Sequence, residues 1–297
     1  MVGLSDQQRE ELREQGFLLV RGALSPHDLL PLVAEIEATI DRSAAALHAA
    51  GKLPDPFVSL AFDERLARIT EQTTAAFKAI WSGNHHGPAL FDLLRHPAIL
   101  TLIEPLVGPE IWCHPAYRIR PKLPDLPRTA QLTVVPWHQD SAYMSAPSDA
   151  VMIPTVWIPL NASTEENGCL ELIPWRHAQG VLRHRHVQGQ AYLDIAPDAL
   201  PEGPRLLVPA EAGDVLLLTN VSVHRSLPNR TKKIRWSVDV RYHDPAAPSG
   251  YPLETGFLVQ SRARPEAVVR TATEFARIRT TKAEGEAPRL TRWAMEG

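Results

Sequence analysis

Pro136-Trp137-His138-Gln139-Asp140, within residues 131–143, carries an imidazole and a carboxylate one residue apart. Side chains of an extended strand alternate faces, so His138 and Asp140 point the same way and can grip one metal ion. A third ligand has to come from elsewhere. His224, in Asn220-Val-Ser-Val-His-Arg-Ser-Leu-Pro-Asn229, is the best placed. Two histidines and one carboxylate on one face of a metal, with the other face open, are the ligand set of non-haem Fe(II) oxygenases. Three protein ligands leave three positions for other groups.

Working outward, the same alternation recurs around the third ligand. His224 and Ser226 share one strand face. Arg235, Ser237, Asp239 and Arg241 share a face of the next strand, while Trp236, Val238, Val240 and Tyr242 make its opposite, apolar face. A polar row inside a β core demands a polar occupant. An inward arginine left without one would cost several kcal/mol, roughly, in desolvation. Short β-branched and aromatic segments separated by turns run from 111 onward, at 111–120, 131–137, 151–160, 169–173, 205–208, 214–219, 222–226 and 234–242. Such spacing argues for an antiparallel sandwich or barrel rather than alternating βαβ units.

The first 110 residues have a helical texture. Ser5 can cap a helix ending near Gln15, and Gly16-Phe-Leu-Leu-Val-Arg-Gly22 reads as a strand closed by glycines. Ser25-Pro26 opens a second helix with an apolar stripe from Leu29 to Ile40. Further helices are expected near 42–50, 63–81, 89–107 and 265–278. The fold class is therefore α+β with a mainly β core. One domain is expected over 1–297, with a helical part to about 110, a β core to about 242 and a C-terminal extension.

Composition narrows the function classes. Lys plus Arg is 31 against Asp plus Glu at 34, a net charge of -3, which gives no case for nucleic acid or an anionic membrane as partner. No apolar run is long enough to cross a bilayer, and the polar start lacks the stretch of a signal peptide. Cys113 and Cys169 lie in apolar settings without metal-site spacing, as core thiols of a cytoplasmic protein do. The sequence sets no oligomeric state.

Residues 16–22, His138-Gln-Asp140, Trp157-Ile-Pro-Leu160, Glu166-Asn-Gly-Cys-Leu-Glu171 and Gly213-Asp214 before His224 resemble, in that order, the phytanoyl-CoA dioxygenase family. The resemblance covers about residues 4–242. It implies a double-stranded β-helix (jelly roll, cupin-like) that takes Fe(II), 2-oxoglutarate and O2, releases succinate and CO2, and oxidises a C–H bond of a small organic molecule. The family's metal ligands fall on His138, Asp140 and His224, its 2-oxoglutarate arginine on Arg235, a nearby hydroxyl on Ser226 and a co-substrate tryptophan on Trp157. Related halogenases lack the carboxylate, so Asp140 implies a hydroxylase. The chain departs from the family at Pro174-Trp-Arg-His177, a loop expected at the active-site rim.

Several residues keep two readings. Trp157 contacts co-substrate or is plain core, and Ser226 can simply bond its own backbone. Arg118 and Arg120 share a strand face and hold co-substrate or an acidic substrate, or form a solvated edge. Tyr143 and Gln139 are substrate-lining candidates beside the triad. Arg241 meets substrate or pairs with Asp239 or another acid. His184-Arg-His186 reads as a solvated face, and His85-His86 as a turn or lid. The rim is expected from 53–87, 175–190 and the tail after Tyr242. A zinc hydrolase or isomerase of cupin type, or a silent barrel that only binds, are the rivals. The clamp at Arg235 argues against the first and the intact triad against the second.

Overall fold

The computed structural model describes residues 3–81, 85–125, 129, 134–187, 192–280, 292–293 and 295–296. Six helices precede the β core: α1 (Asp6–Gln15), α2 (Pro26–Ala49), α3 (Phe62–Gln72), α4 (Ala75–Trp81), α5 (Pro88–Leu94) and α6 (Pro97–Val107). Ser5 caps α1 and Ser25 caps α2, each through a reciprocal capping box. The helices expected at 26–40 and 42–50 are one continuous helix, because no breaker separates them. The helix expected over 63–81 splits at Thr73, whose backbone is extended and whose hydroxyl accepts the Ala75 amide. The one expected over 89–107 splits before Pro97, since a residue preceding proline is pushed out of the helical region.

The strands are β1 (Phe17–Val20), between α1 and α2, then β2 (Ile111–Cys113), β3 (Arg118–Lys122), β4 (Thr155–Pro159), β5 (Leu170–Ile173), β6 (His184–Val187), β7 (Leu193–Ile195), β8 (Leu206–Val208), β9 (Val215–Leu218), β10 (Val223–Ser226), β11 (Arg235–His243) and β12 (Phe257–Gln260), followed by α7 (Ala272–Thr280) and a short β13 (Met295–Glu296). The larger sheet runs β1-β9-β4-β11-β2-β12, all antiparallel, with β3 also on β11. A smaller sheet runs β10-β5-β8. The strand expected over 111–120 is two, β2 and β3, with Pro115 between them. Of the strand expected over 131–137, residues 131–133 lie outside the described residues and 134–137 form no ladder. Pairing begins at His138, which bridges His224. β6, β7 and β12 were not expected from the sequence pattern.

Period two decides which face of the larger sheet does what. Val215 and Leu217 of β9, Val156 and Ile158 of β4, and Trp236, Val238, Val240 and Tyr242 of β11 pack into the cluster formed by Leu29, Leu32, Ile36 and the other helical leucines and isoleucines. Leu216, Leu218 and Trp157 on the other face join Leu170, Leu172 and Val208 of the smaller sheet. The two sheets therefore face each other across this second cluster, and the polar row of β11 opens into the space beside it. Gly213 has φ +90°, and a Cβ there would stand 2.2 Å from the Leu24 carbonyl oxygen. Asp214 beside it accepts from the Gly22 amide (2.8 Å) and Arg21 (2.7 Å), pinning the end of β1. Among the described residues no helix is long and apolar enough to cross a membrane.

Candidate metal centre and its two cavities

His138 and His224 exchange both backbone hydrogen bonds (2.9 and 3.0 Å), so their side chains stand directly opposite, with ring centroids 4.1 Å apart. Each ring places its Nδ1 within hydrogen-bond distance of the carbonyl oxygen two residues earlier, Pro136 for His138 (3.0 Å) and Ser222 for His224 (3.0 Å). A carbonyl only accepts, so Nδ1 carries the proton and the Nε2 lone pair is turned to the site. Gln139 is extended, which carries Asp140 to the same side. Ligand atoms of His138, Asp140 and His224 all lie within 4.8 Å of one another, and all three residues are buried.

Asp140 is held by its neighbours. The Thr155 hydroxyl donates to Oδ2 (2.5 Å), and Arg241 donates from Nε to Oδ2 (3.2 Å) and from Nη2 to Oδ1 (2.9 Å). Burial alone would raise the Asp140 pKa, but the Arg241 guanidinium and both imidazoles outweigh it and hold the carboxyl far below its ordinary range. Burial, reinforced by His224, pushes His138 down to about 3. Both groups are thus in the deprotonated form a metal ion needs. Arg241 also donates to Asp239 (2.6 Å), and Asp239 accepts from Arg120 (2.6 Å). A chain of alternating charge runs Asp140–Arg241–Asp239–Arg120, buried except at the partly exposed Arg120.

Two cavities meet at this centre. The inner one is lined by His138, His224, Trp157, Ser226, Arg235 and Lys122, among others. Arg235 and Lys122 are register partners across β11 and β3, and both are buried. The Arg235 guanidinium lies over the Trp157 ring (5.3 Å) and donates to Ser237 (2.5 Å) and to the Gly168 carbonyl (3.2 Å), while its buried Nε has no hydrogen-bond partner. Lys122 donates to Ser226 Oγ (2.8 Å). Burial, with Arg120 beside it, brings Arg235 down to about 10, and burial with Arg235 beside it pushes Lys122 well below its ordinary value. An anion placed between these two groups would offset the cost of burying them side by side. The donor set fits a divalent iron at one end of this cavity and the distal carboxylate of a keto-diacid at the other.

The outer cavity, about 280 Å³, is lined by His114, Arg118, Arg120, Tyr143, Tyr192, Tyr251, Asp140 and Arg241, among others. Arg120 lines both cavities, whereas Arg118 lines the outer one only. Tyr143 lines the outer cavity and its oxygen accepts the Leu193 amide (2.8 Å).

Some expectations are corrected. Gln139 does not line a cavity: it is buried, donating to the Gly180 (2.9 Å) and Val221 (2.6 Å) carbonyls and accepting from the Leu182 amide (2.7 Å). It braces the strand between the two ligands. His184 is not solvated. It is buried, and its Nε2 accepts the Gln139 amide (3.1 Å). Residues 174–177 leave the rim and pack on the first helix, with the Trp175 amide donating to the Gln15 carbonyl (3.1 Å) and the His177 ring against Gly16. None of the described residues between 53 and 87 lines either of these cavities, whereas Tyr251 of the tail lines the outer one. His85 bonds Glu35 (2.6 Å) on α2.

Lys122 and Thr155 were missed by the sequence reading. Lys122 follows Arg118 and Arg120 at the next alternate position, and Thr155 precedes Trp157 on the same strand face, so period two could have found both.

A pair of antiparallel sheets carrying two imidazoles and a carboxylate at one centre defines the class of mononuclear non-haem metal enzymes. Residues 12–237 match the family described as phytanoyl-CoA dioxygenase (PhyH), so the chain belongs to that family of Fe(II)- and 2-oxoglutarate-dependent oxygenases. It is 31% identical over 171 residues to 1-deoxypentalenic acid 11-beta-hydroxylase of Streptomyces arenae, covering 54% of this chain and 59% of that protein. A probable phytanoyl-CoA dioxygenase of Caenorhabditis elegans is 24% identical over 80% of this chain and 75% of its own length. The fold is that of the non-heme monooxygenase ThoJ, with TM-score 0.66 and 19% identity over 95% of this chain and 98% of that one.

Proposed function

We propose that this protein is a cytoplasmic hydroxylase that oxidises an unactivated C–H bond of a small organic molecule, using Fe(II), 2-oxoglutarate and O2. The observation that carries the reading is the inner cavity, which is lined both by His138 and His224 of the three-ligand cluster and by the Arg235–Lys122 pair. When bound, Fe(II) and 2-oxoglutarate supply the oxidising power, with succinate and CO2 as the co-products. The chain's own residues do the rest. His138, Asp140 and His224 hold the metal on one face. Arg235 offers a flat fork of donors to the distal carboxylate of 2-oxoglutarate, a geometry that lysine cannot match, and Lys122 adds a second charge. Ser226 orients Lys122, and Trp157 stacks on Arg235 and keeps water from it. The outer cavity, reaching the same His138 and Asp140, receives the substrate.

Asp140 at the carboxylate position supports hydroxylation over halogenation. The facing sheets support a double-stranded β-helix. Cys113 and Cys169, buried free thiols, support a reducing compartment. The test is anaerobic addition of Fe(II) and 2-oxoglutarate, which should produce a weak visible charge-transfer band. His138→Ala and Asp140→Ala should lose both that band and succinate formation. Normal turnover in His138→Ala would refute the assignment.

A further inference from the structure

Asp140 opens a short 3-10 helix, Asp140–Tyr143, whose last residue lines the outer cavity. So short a helix leaves backbone carbonyls without internal partners. The Met144 amide donates to the Ser141 carbonyl (3.0 Å) and the Ala142 amide to the Gln139 carbonyl (3.1 Å). The Ala142 carbonyl finds its donor 151 positions away, in the indole Nε1–H of Trp293 (2.8 Å). Beside it, Arg292 donates from Nη1 to the Ser141 carbonyl (3.2 Å) and to Asp149 Oδ1 (3.0 Å), while its Nη2 pairs with Asp149 Oδ2.

The same segment reaches the other side of the ligand. The Gln139 amide donates to His184 Nε2 (3.1 Å), and the Trp293 ring lies against the His184 ring with centroids 5.1 Å apart. His184 opens β6, on which β13 lies in parallel, with Met295 beside His186. The backbone flanking Asp140 is thus held from near the end of the chain, directly at 141 and 142 and through His184 at 139.

Guanidinium and indole N–H groups only donate, so both suit carbonyl oxygens. Neither Arg292 nor Trp293 lines the inner or the outer cavity, so neither touches metal or substrate. Arg292 and Asp149 keep 19% and 25% side-chain exposure, and a pair so placed adds little to global stability. Its effect is local. A metal ligand has to be held to within roughly 0.5 Å of its productive place by the groups behind it. Both residues also lie beyond the stretch 12–237 that matches the family.

We infer that Arg292 and Trp293 are positioning residues for Asp140: the segment around them clamps the turn that carries the ligand and so sets metal affinity. This rests on the reading of His138, Asp140 and His224 as the metal site.

The full-length apo-protein is titrated with Co(II), followed by absorbance, and near-UV circular dichroism of the same samples reports the fold. Arg292→Ala and Trp293→Ala should each weaken Co(II) binding by about tenfold, the lower end of what losing a group that orients a ligand costs. At saturating Fe(II), the 2-oxoglutarate concentration needed to develop the charge-transfer band should stay unchanged, because Arg235 and Lys122 lie outside the clamp. Arg292→Lys should recover part of the loss. Asp149→Ala should weaken Co(II) as well, and adding it to Arg292→Ala should cost little more, since the carboxylate acts through the guanidinium. Trp293→Phe keeps a ring against His184 but removes the donor, and it replaces Trp293→Ala should that variant not fold. Unchanged Co(II) affinity in Arg292→Ala and Trp293→Phe overturns the inference. So does a matching loss of Co(II) and 2-oxoglutarate binding, or an unfolded Trp293→Phe, because the segment would then serve the fold at large. Failure of the unmodified protein to take up Co(II) would instead refute the metal assignment.

Discussion

Arg241 meets Asp140 side-on, with Nη2 at 2.9 Å from Oδ1 and Nε at 3.2 Å from Oδ2. Because Thr155 also donates to Oδ2, one carboxylate oxygen is saturated and the other keeps its remaining lone pair for a metal. The guanidinium therefore sets how Asp140 can coordinate, through one oxygen rather than two. Arg241 was expected either to touch substrate or to pair with Asp239 or another acid. It lines the outer cavity and pairs with both aspartates.

Arg241→Lys keeps the charge but loses the fork. Metal affinity should fall by about tenfold to a hundredfold, the usual effect of removing the group that orients a ligand. Titration of the apo-protein with Co(II), followed by absorbance, measures it without turnover. Unchanged affinity would show that Asp140 needs no such partner.

Lys122→Met and Arg235→Met should each raise the 2-oxoglutarate concentration needed to develop the charge-transfer band, by about tenfold to a hundredfold. Fe(II) binding should change far less, because neither side chain is among the three metal ligands. Arg235→Lys should recover only part of the loss, since a single ammonium cannot make two parallel bonds.

His184 gives the fold a pH dependence with a definite sign. Burial pushes its pKa from 6.5 down to about 4. Between these values the unfolded chain binds a proton that the folded chain refuses. Stability is full above pH 6.5 and declines as pH falls toward 4, by about 3 kcal/mol at most. His138, held near 3, acts in the same direction. Thermal unfolding across this window should show the decline, and His184→Gln should make it shallower while His138 keeps part of it. An identical slope in the variant would exclude His184 as a source.

Gly168→Ala tests the joint between the sheets. Gly168 has φ +92°, and a Cβ there would stand 2.6 Å from the Leu227 carbonyl oxygen and 2.9 Å from Lys122 Cε. Alanine at such a backbone angle should cost at least about 1 kcal/mol in unfolding experiments. Displacing Lys122 and the Gly168 carbonyl that receives Arg235 should weaken 2-oxoglutarate binding as well.

Period two made much of this molecule legible. It separated the polar and apolar rows of β11 and paired His138 with Asp140, and the structure places both rows as read. Capping residues at Ser5 and Ser25 located the first helices. What local pattern could not give were the interruptions at Thr73 and Pro97, which depend on one residue's hydroxyl or on a proline within a helical run. The role of Gln139 was equally hidden. A polar side chain between two ligands looks functional, and only tertiary contacts reveal that backbone groups of 180, 182 and 221 take both its N–H donors and bond its oxygen. His184 misled for the same reason, since its hydrogen-bond partner lies 45 positions away in sequence.

The nine residues of β11 carry two messages on alternate letters, and the interleaving has an evolutionary reach. Replacing Arg235, Ser237, Asp239 or Arg241 rewrites what the enzyme can hold, while Trp236, Val238, Val240 and Tyr242 go on anchoring the helices untouched. A slip of one position would bring both messages down together, thrusting guanidinium groups into the helical interface and tryptophan into the chamber. New specificities can therefore arise here by point substitution, whereas insertions or deletions within the strand are barred.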